Sequence, residues 1–407
     1  GLGGDWTTVL IGGLRSGGRG IYALDVTDPV AFSEANADKT VLWEFTNDDD
    51  ADLGYTYSRP FIGLANDGSW VAIFGNGYND TGIGEAQLFI VDIAKGIDGT
   101  WTAGDYRKIT TGVGTTLDPN GLATPALADL DGNGTIDRVY AGDLQGNMWV
   151  FDLSSDNPIN WASAYNQGAT PKPLFTTQPG SFPTLSGEPI TAKPVLASHP
   201  TQPDSSSPSN APNVMVYFGS GQYLVDADKS TTSTQSFYGV WDTGDQELIS
   251  TDLIEQTFDT NFTGRVLTRN PVDYSLDHGW YFDLDISGER SVTSPIVWDD
   301  TVFFNTFIPQ SDPCGSGGFG YKFAVDMVTG GSPLEPVIDS NNDGVIDDND
   351  YQTGGGNQST LAAVRQDGYL PEPVFIEDLA FTADQGAKVK PMPVPPTGRF
   401  SWLELLH

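Results

Sequence analysis

Four times along this chain, an apolar run announced by proline is followed by an aromatic-rich run and then by a run that ends in Asp. The first members are Arg59-Pro60-Phe61-Ile62, Thr124-Pro125-Ala126-Leu127, Lys193-Pro194-Val195-Leu196 and Ser294-Pro295-Ile296-Val297. The second are Trp70 to Gly75, Arg138 to Gly142, Val214 to Gly219 and Thr301 to Thr306. The third are Leu88 to Asp92, Met148 to Asp152, Phe237 to Asp242 and Tyr321 to Asp326. In some units a fourth run follows, as in Lys172 to Thr177. Self-similarity at a long period is the mark of a repeat architecture. Three or four strands per repeat is the blade of a β-propeller, so the chain reads as all-β.

The ends of the chain complement each other. Trp6 to Gly12, Gly20 to Asp25 and Thr40 to Phe45 form a unit without its first strand, whereas Tyr369-Leu370-Pro371-Glu372-Pro373-Val374-Phe375 is a first strand without successors. Pairing of these N- and C-terminal strands would close a ring and remove exposed sheet edges. Five units are visible, and 245–290 and 376–400 have room for degenerate blades. The expectation is one propeller domain over residues 1–407, with an inserted loop at about 331–357. Abundant Gly (48) and Pro (27) fit a chain of many turns.

The formal net charge of −35 argues against nucleic acid as a partner, because nothing here neutralises phosphates. An anionic membrane surface would repel the chain, and no apolar span of ~20 residues suggests direct membrane insertion. The excess of carboxylates suits divalent cations and an extracellular setting. The single cysteine, Cys314, has no partner within the segment and could pair outside it. The chain starts at Gly1 and reads as a portion of a longer protein. Asn47 to Asp52 reads as a solvated acidic loop, and the Ser/Pro-rich Thr201 to Pro212 as a surface loop.

Two stretches carry the spacing of a calcium loop. In Asp129-Leu130-Asp131-Gly132-Asn133-Gly134-Thr135-Ile136-Asp137, oxygen-bearing side chains fall at positions 1, 3, 5 and 9, with glycine at 6. Alternate residues of a curled loop can aim oxygens at one point, which a hard cation requires. Asp129, Asp131, Asn133 and Asp137 would supply side chains, and Thr135 its backbone carbonyl. Tyr140 occupies position 12, so the missing ligand must come from water or another loop. The sequence after the loop alternates and is aromatic, which places the loop between strands. The second stretch has Asp339, Asn341, Asp343, Asp347 and Asp350 at positions 1, 3, 5, 9 and 12, Gly344 at 6 and Val345 at 7. Its glycine-rich flanks leave it less rigid, which weakens net binding.

Enzyme signals are poor. The three histidines, His199, His278 and His407, are scattered, so a His-based metal site or triad has little to draw on. Asp283 and Asp285 share a strand face, more simply a solvated edge than an acid/base pair.

At this point a family resemblance covers the whole chain. Gly-Arg-Gly-Ile-Tyr-Ala-Leu-Asp-Val-Thr-Asp-Pro (18–29), Leu-Gly-Tyr-Thr-Tyr-Ser-Arg-Pro (53–60) and Phe-Gly-Asn-Gly-Tyr (74–78) resemble the C-terminal propeller of the PilY/PilC-type proteins of type IV pili. The 128–153 stretch, Gly-Trp-Tyr-Phe-Asp-Leu (279–284), Gly-Glu-Arg (288–290), Asp-Pro-Cys-Gly-Ser-Gly-Gly (312–318) and Gly-Arg-Phe-Ser-Trp (398–402) continue the match. The resemblance implies a modified seven-bladed propeller and a role in pilus biogenesis, adhesion and twitching motility. It implies an exported protein at the cell surface or pilus tip, partnered by pilus components such as minor pilins and by host-cell or abiotic surfaces. It also implies that calcium at Asp129, Asp131, Asn133, Thr135 and Asp137 regulates pilus extension against retraction. Two rival readings are a calcium-stabilised glycan-binding propeller and a quinone-dependent dehydrogenase. The second commonly uses adjacent cysteines, which this chain lacks.

Overall fold

A computed structural model describes residues 6–177, 187–199, 212–310, 317–341, 343, 345–376, 379–381 and 387–388. Cys314, Gly344, most of the 201–212 loop and the 398–402 motif lie outside the described residues. The chain divides into two compact units, Gly1–Leu174 and Phe175–His407.

The first unit holds three antiparallel meanders. Val9–Gly13, Gly20–Asp25 and Val41–Thr46 lie side by side in that order. Phe61–Leu64, Trp70–Gly75, Glu85–Asp92 and Tyr106–Gly114 form a second sheet, with Leu64 opposite Trp70 across its first hairpin. Ala126–Ala128, Arg138–Gly142, Asn147–Asp152 and Ala162–Ser163 form a third. Each meander is the blade unit that the repeat predicts. The strand after Asp152 is Ala162–Ser163, and the expected Lys172 to Thr177 run supplies the short strand Phe175–Thr176.

Residues two apart along each strand share one face. Ile21, Ala23, Trp43 and Phe45 of the first sheet pack with Ala72, Phe74, Phe89 and Val91 of the second. Phe74 and Phe89 stack at 5.6 Å, and Trp101 meets Trp43 edge-on at 5.3 Å. Polar residues stitch neighbouring sheets where hydrophobic contact ends. The fully buried Asn76 donates to the carbonyls of Asp52 and Glu85 and accepts from the N–H groups of Gln87 and Leu122. Asp143, also fully buried, accepts from Asn120, Asn147 and the Trp149 indole. A buried polar group costs little only when satisfied in this way.

In the second unit, Val195–Ser198, Val214–Gly219, Ser236–Asp242 and Gly279–Asp283 are adjacent in that order, with Ile254–Glu255 added in parallel at the edge. The 245–290 region therefore completes the preceding sheet and is not a separate degenerate blade. Ile296–Trp298, Thr301–Asn305 and Gly318–Asp326 form the next sheet, joined by Ala363–Asp367. Phe237 of one sheet stacks on Phe304 of the other at 3.7 Å within one aromatic core. Val374–Ile376, expected as an orphan first strand, pairs with Leu379–Phe381.

The aspartates that end the third strands have a common task. Oδ1 of Asp92, Asp152, Asp242 and Asp326 each accepts the backbone N–H two residues on. Such Asx turns reverse the chain at the strand end. The acidic 47–52 run is not simply solvated. Asp50 accepts from Lys108 at 2.9 Å and from the Tyr106 hydroxyl at 3.0 Å, and Asp52 also accepts from Lys108. Burial alone would raise the Asp52 carboxyl, but Lys108 and the Ile83 N–H outweigh it and hold it below the usual carboxylate range.

Candidate metal centre

The 129–137 loop joins the first two strands of the third sheet, leaving Ala128 and returning at Arg138. Its curl is written in short-range hydrogen bonds. Asp129 Oδ1 accepts from the N–H groups of Gly132 (2.8 Å) and Asn133 (3.2 Å), and Oδ2 from Gly134 (2.7 Å). Asp131 Oδ1 accepts from Asn133 N–H at 3.1 Å, and Asn133 Oδ1 from Thr135 N–H at 2.7 Å. Gly134 sits at φ +89° with no atom within 4 Å of where a Cβ would stand, so glycine is needed there for backbone conformation and not for space.

This curl gathers Asp129, Asp131 and Asp137, with one carboxylate oxygen of each within 4.8 Å of the others. They are half-buried, exposed and buried respectively. Burial pushes the Asp137 carboxyl up, the Leu130 N–H and the Asn66 amide oppose this, and the negative charges of Asp131 and Asp129 add to the rise. Three carboxylates this close repel each other. Their donor set is all oxygen, which suits a hard cation such as calcium.

One residue of the site is invisible to motif reading. Asn66 lies in the turn between the first two strands of the neighbouring sheet. Its Nδ2 donates to Asp137 Oδ1 (3.2 Å), to the Ile136 carbonyl (3.0 Å) and to the Leu153 carbonyl (3.1 Å), while its Oδ1 accepts from the Thr135 hydroxyl (2.7 Å). Ile136 N–H donates to the Leu64 carbonyl at 2.9 Å, and Ile136 Cδ1 stands 2.1 Å from where a Cβ on Gly63 would be. The sequence signal was only the turn-forming Asn66-Asp67-Gly68.

The 339–350 loop behaves differently. Among the described residues, Asp339, Asp343, Asp347 and Asp350 do not converge as the first group does. Asp350 is buried and accepts from the N–H groups of Ser340 (2.7 Å), Asn341 (3.3 Å) and Asp347 (3.0 Å). Asp347 caps the turn over Asp348–Asp350, Asn341 accepts from Asp343 N–H, Asp343 accepts from Val345 N–H, and the Val345 side chain is exposed. The glycine-flanked insertion is anchored by Val337 and Ile338 against Phe303 and Ala324.

The other titratable groups that the sequence singled out have structural partners, except His407, which lies outside the described residues. His199 is buried against Trp241 (4.7 Å) and Tyr274 (4.2 Å), and burial pushes it down to about 4. His278 faces Asp245 at 3.1 Å. Asp283 accepts from Ser236, and Asp285 and Glu289 pair with Arg265. Arg290 donates to the carbonyls of Gly288, Gln222, Asp228 and Thr231, so the Gly-Glu-Arg motif is a clamp.

Comparison with known proteins places these features. A family model described as the PilY1 beta-propeller domain matches residues 1–270. A type IV pilus biogenesis factor PilY1 homolog of Xylella fastidiosa is 38% identical over 359 residues, covering 83% of this chain and 23% of that protein. The type IV pilus biogenesis factor PilY1 of Pseudomonas aeruginosa PAO1 is 34% identical over 387 residues, covering 85% of this chain and 31% of that protein. The crystal structure of the Pseudomonas aeruginosa PilY1 C-terminal domain superposes with a TM-score of 0.75 at 29% identity, covering 97% of this chain and 82% of that one. The matched stretches thus span a quarter to a third of these curated relatives. The fold is a β-propeller.

Proposed function

Because the chain belongs to the PilY1 β-propeller family, we propose that it is the propeller of a type IV pilus biogenesis factor whose 129–137 loop binds calcium and so biases pilus extension against retraction. In this reading residues 1–407 act as one propeller, its ring closed by the terminal strands, and the protein works outside the cell, at the surface or pilus tip. Its partners are minor pilins, and its adhesive targets are host-cell or abiotic surfaces. Its role is assembly and adhesion and not catalysis, and its relatives are named as biogenesis factors.

The observation that carries the proposal is the convergence of three carboxylates on one loop. Side-chain oxygens of Asp129, Asp131, Asn133 and Asp137 and the carbonyl of Thr135 would hold the ion. Bound calcium supplies the two positive charges that relieve the mutual repulsion of these carboxylates. Binding to the folded loop alone stabilises the conformation that holds it, by about 2.7 kcal/mol at a hundred times Kd. The 339–350 loop is the second calcium loop of this reading, with Asp339, Asn341, Asp343, Val345, Asp347 and Asp350 as its ligand positions. It is the weaker one, since among the described residues its carboxylates do not converge as those of 129–137 do.

The test is genetic. In cells lacking the factor, the full-length protein and its Asp137→Ala variant are expressed at matched levels, and surface pili are counted with calcium or chelator. The full-length protein should give calcium-dependent pilus numbers, and the variant the chelator phenotype under both conditions. A variant that responds to calcium as the parent does would overturn the assignment.

A further inference from the structure

We propose that Asn66 is the positioning residue of the 129–137 loop, through which occupancy of that loop is relayed to the neighbouring sheet. The inference rests on the calcium reading above and names a residue from outside the loop, 71 positions before Asp137.

The hydrogen bonds define the role. Three acceptors surround Nδ2 of Asn66: the Asp137 carboxylate and the carbonyls of Ile136 and Leu153. The Thr135 hydroxyl lies on Oδ1. This arrangement fixes which end of the amide is nitrogen, because only the donor end can face acceptors alone, its two N–H groups being shared among the three. The same Thr135 hydroxyl also meets Asn133 Oδ1. Two of the five ligand-bearing residues, Thr135 and Asp137, are thereby hydrogen-bonded directly to one amide. That amide is held in a tight turn: Ala65 N–H donates to the Ser69 carbonyl, and Asp67 accepts from both Ser69 N–H and Ser69 Oγ. Beside it, Ala65 bridges Ile136 in parallel pairing. A shift of Asp137 or Thr135 on metal binding therefore cannot occur without loading the Leu64–Trp70 turn. Outer hydrogen-bond partners of metal ligands typically tune affinity by 10–100-fold.

Asn66 acts as a donor to the ligands and not as a ligand. The two roles are separated by Asn66→Asp, which keeps the shape, keeps an oxygen and removes every N–H. A ligand role predicts tighter calcium binding in this variant. The positioning role predicts weaker binding, because Asp137 loses its donor and gains a like charge.

The experiment titrates calcium calorimetrically into the 407-residue chain, its Asn66→Asp and Thr135→Val variants, and Asp131→Asn as the control for the site itself. Amide exchange across residues 64–70 and the melting temperature are measured with calcium and with chelator. In the unmodified chain, calcium should slow exchange at 64–70. Asn66→Asp should bind about 10–100-fold more weakly and lose that slowing. Thr135→Val, which keeps the backbone carbonyl, should weaken binding in the same direction and serves if Asn66→Asp does not fold. Unchanged or tighter binding in Asn66→Asp would overturn the proposal. So would a variant that melts lower in chelator yet binds calcium like the parent, since that is a purely structural role. Binding that Asp131→Asn does not alter would instead sink the metal site, and this inference with it.

Discussion

At the scale of single residues, local chemistry decides what each side chain can do. Asp129 serves the backbone of its own loop, Asp131 is exposed, and Asp137 is buried. His199 is buried between Trp241 and Tyr274, and burial pushes its pKa down to about 4, below what a general base working near neutral pH requires. Between about pH 6.5, its unfolded value, and pH 4 the unfolded chain binds a proton that the folded chain refuses. Stability contributed by neutral His199 is therefore complete above that window and is lost as pH falls through it. Urea unfolding measured at pH 7 and pH 5 should show a loss of up to ~2 kcal/mol, much reduced in His199→Phe. An equal loss in the variant would show that other groups carry the acid sensitivity. The candidate site was legible at this scale because its ligands are neighbours in sequence. Asn66 was not, because no local pattern reveals which turn of one sheet faces which loop of the next.

At the scale of strands and loops, the repeat predicts the central strands well. Trp70–Gly75, Arg138–Gly142 and Val214–Gly219 fall where the aromatic runs placed them, since fully buried strands show as continuous apolar runs between turn signals. Outer strands escaped. Ala162–Ser163 is two residues long and carries no alternation, and Gly279–Asp283 joins Ser236–Asp242 after a long excursion that resembled a new blade. The Asp-ended strands were legible as a pattern but not as a mechanism until their Asx turns were seen. The contact between the second and third sheets gives a direct prediction. A methyl at Gly63 would collide with the buried Ile136, and overpacking of this kind typically costs about 1–3 kcal/mol. Gly63→Ala should lower the urea midpoint by that amount and weaken calcium binding at the adjoining loop. Adding Ile136→Val should recover part of the loss, because contacting residues couple. Strict additivity of the two substitutions would mean that Ile136 does not couple the two sheets.

At the scale of the whole molecule, 54 acidic residues against 19 basic ones make a self-repelling surface. Any salt will screen it, with a Debye length of about 8 Å at physiological ionic strength. Thermal stabilisation by calcium is thus informative only beyond what matched ionic strength of sodium provides. That is why the account stands on a position in the fold and not on bulk charge. The measurement that tests it most directly is a crystal structure of this chain grown with calcium, read at the Asp129–Asp131–Asp137 cluster. The account predicts anomalous density there, ringed by oxygens of Asp129, Asp131, Asn133, Thr135 and Asp137 at about 2.3–2.6 Å. A cluster filled only by water at hydrogen-bond distances would contradict it.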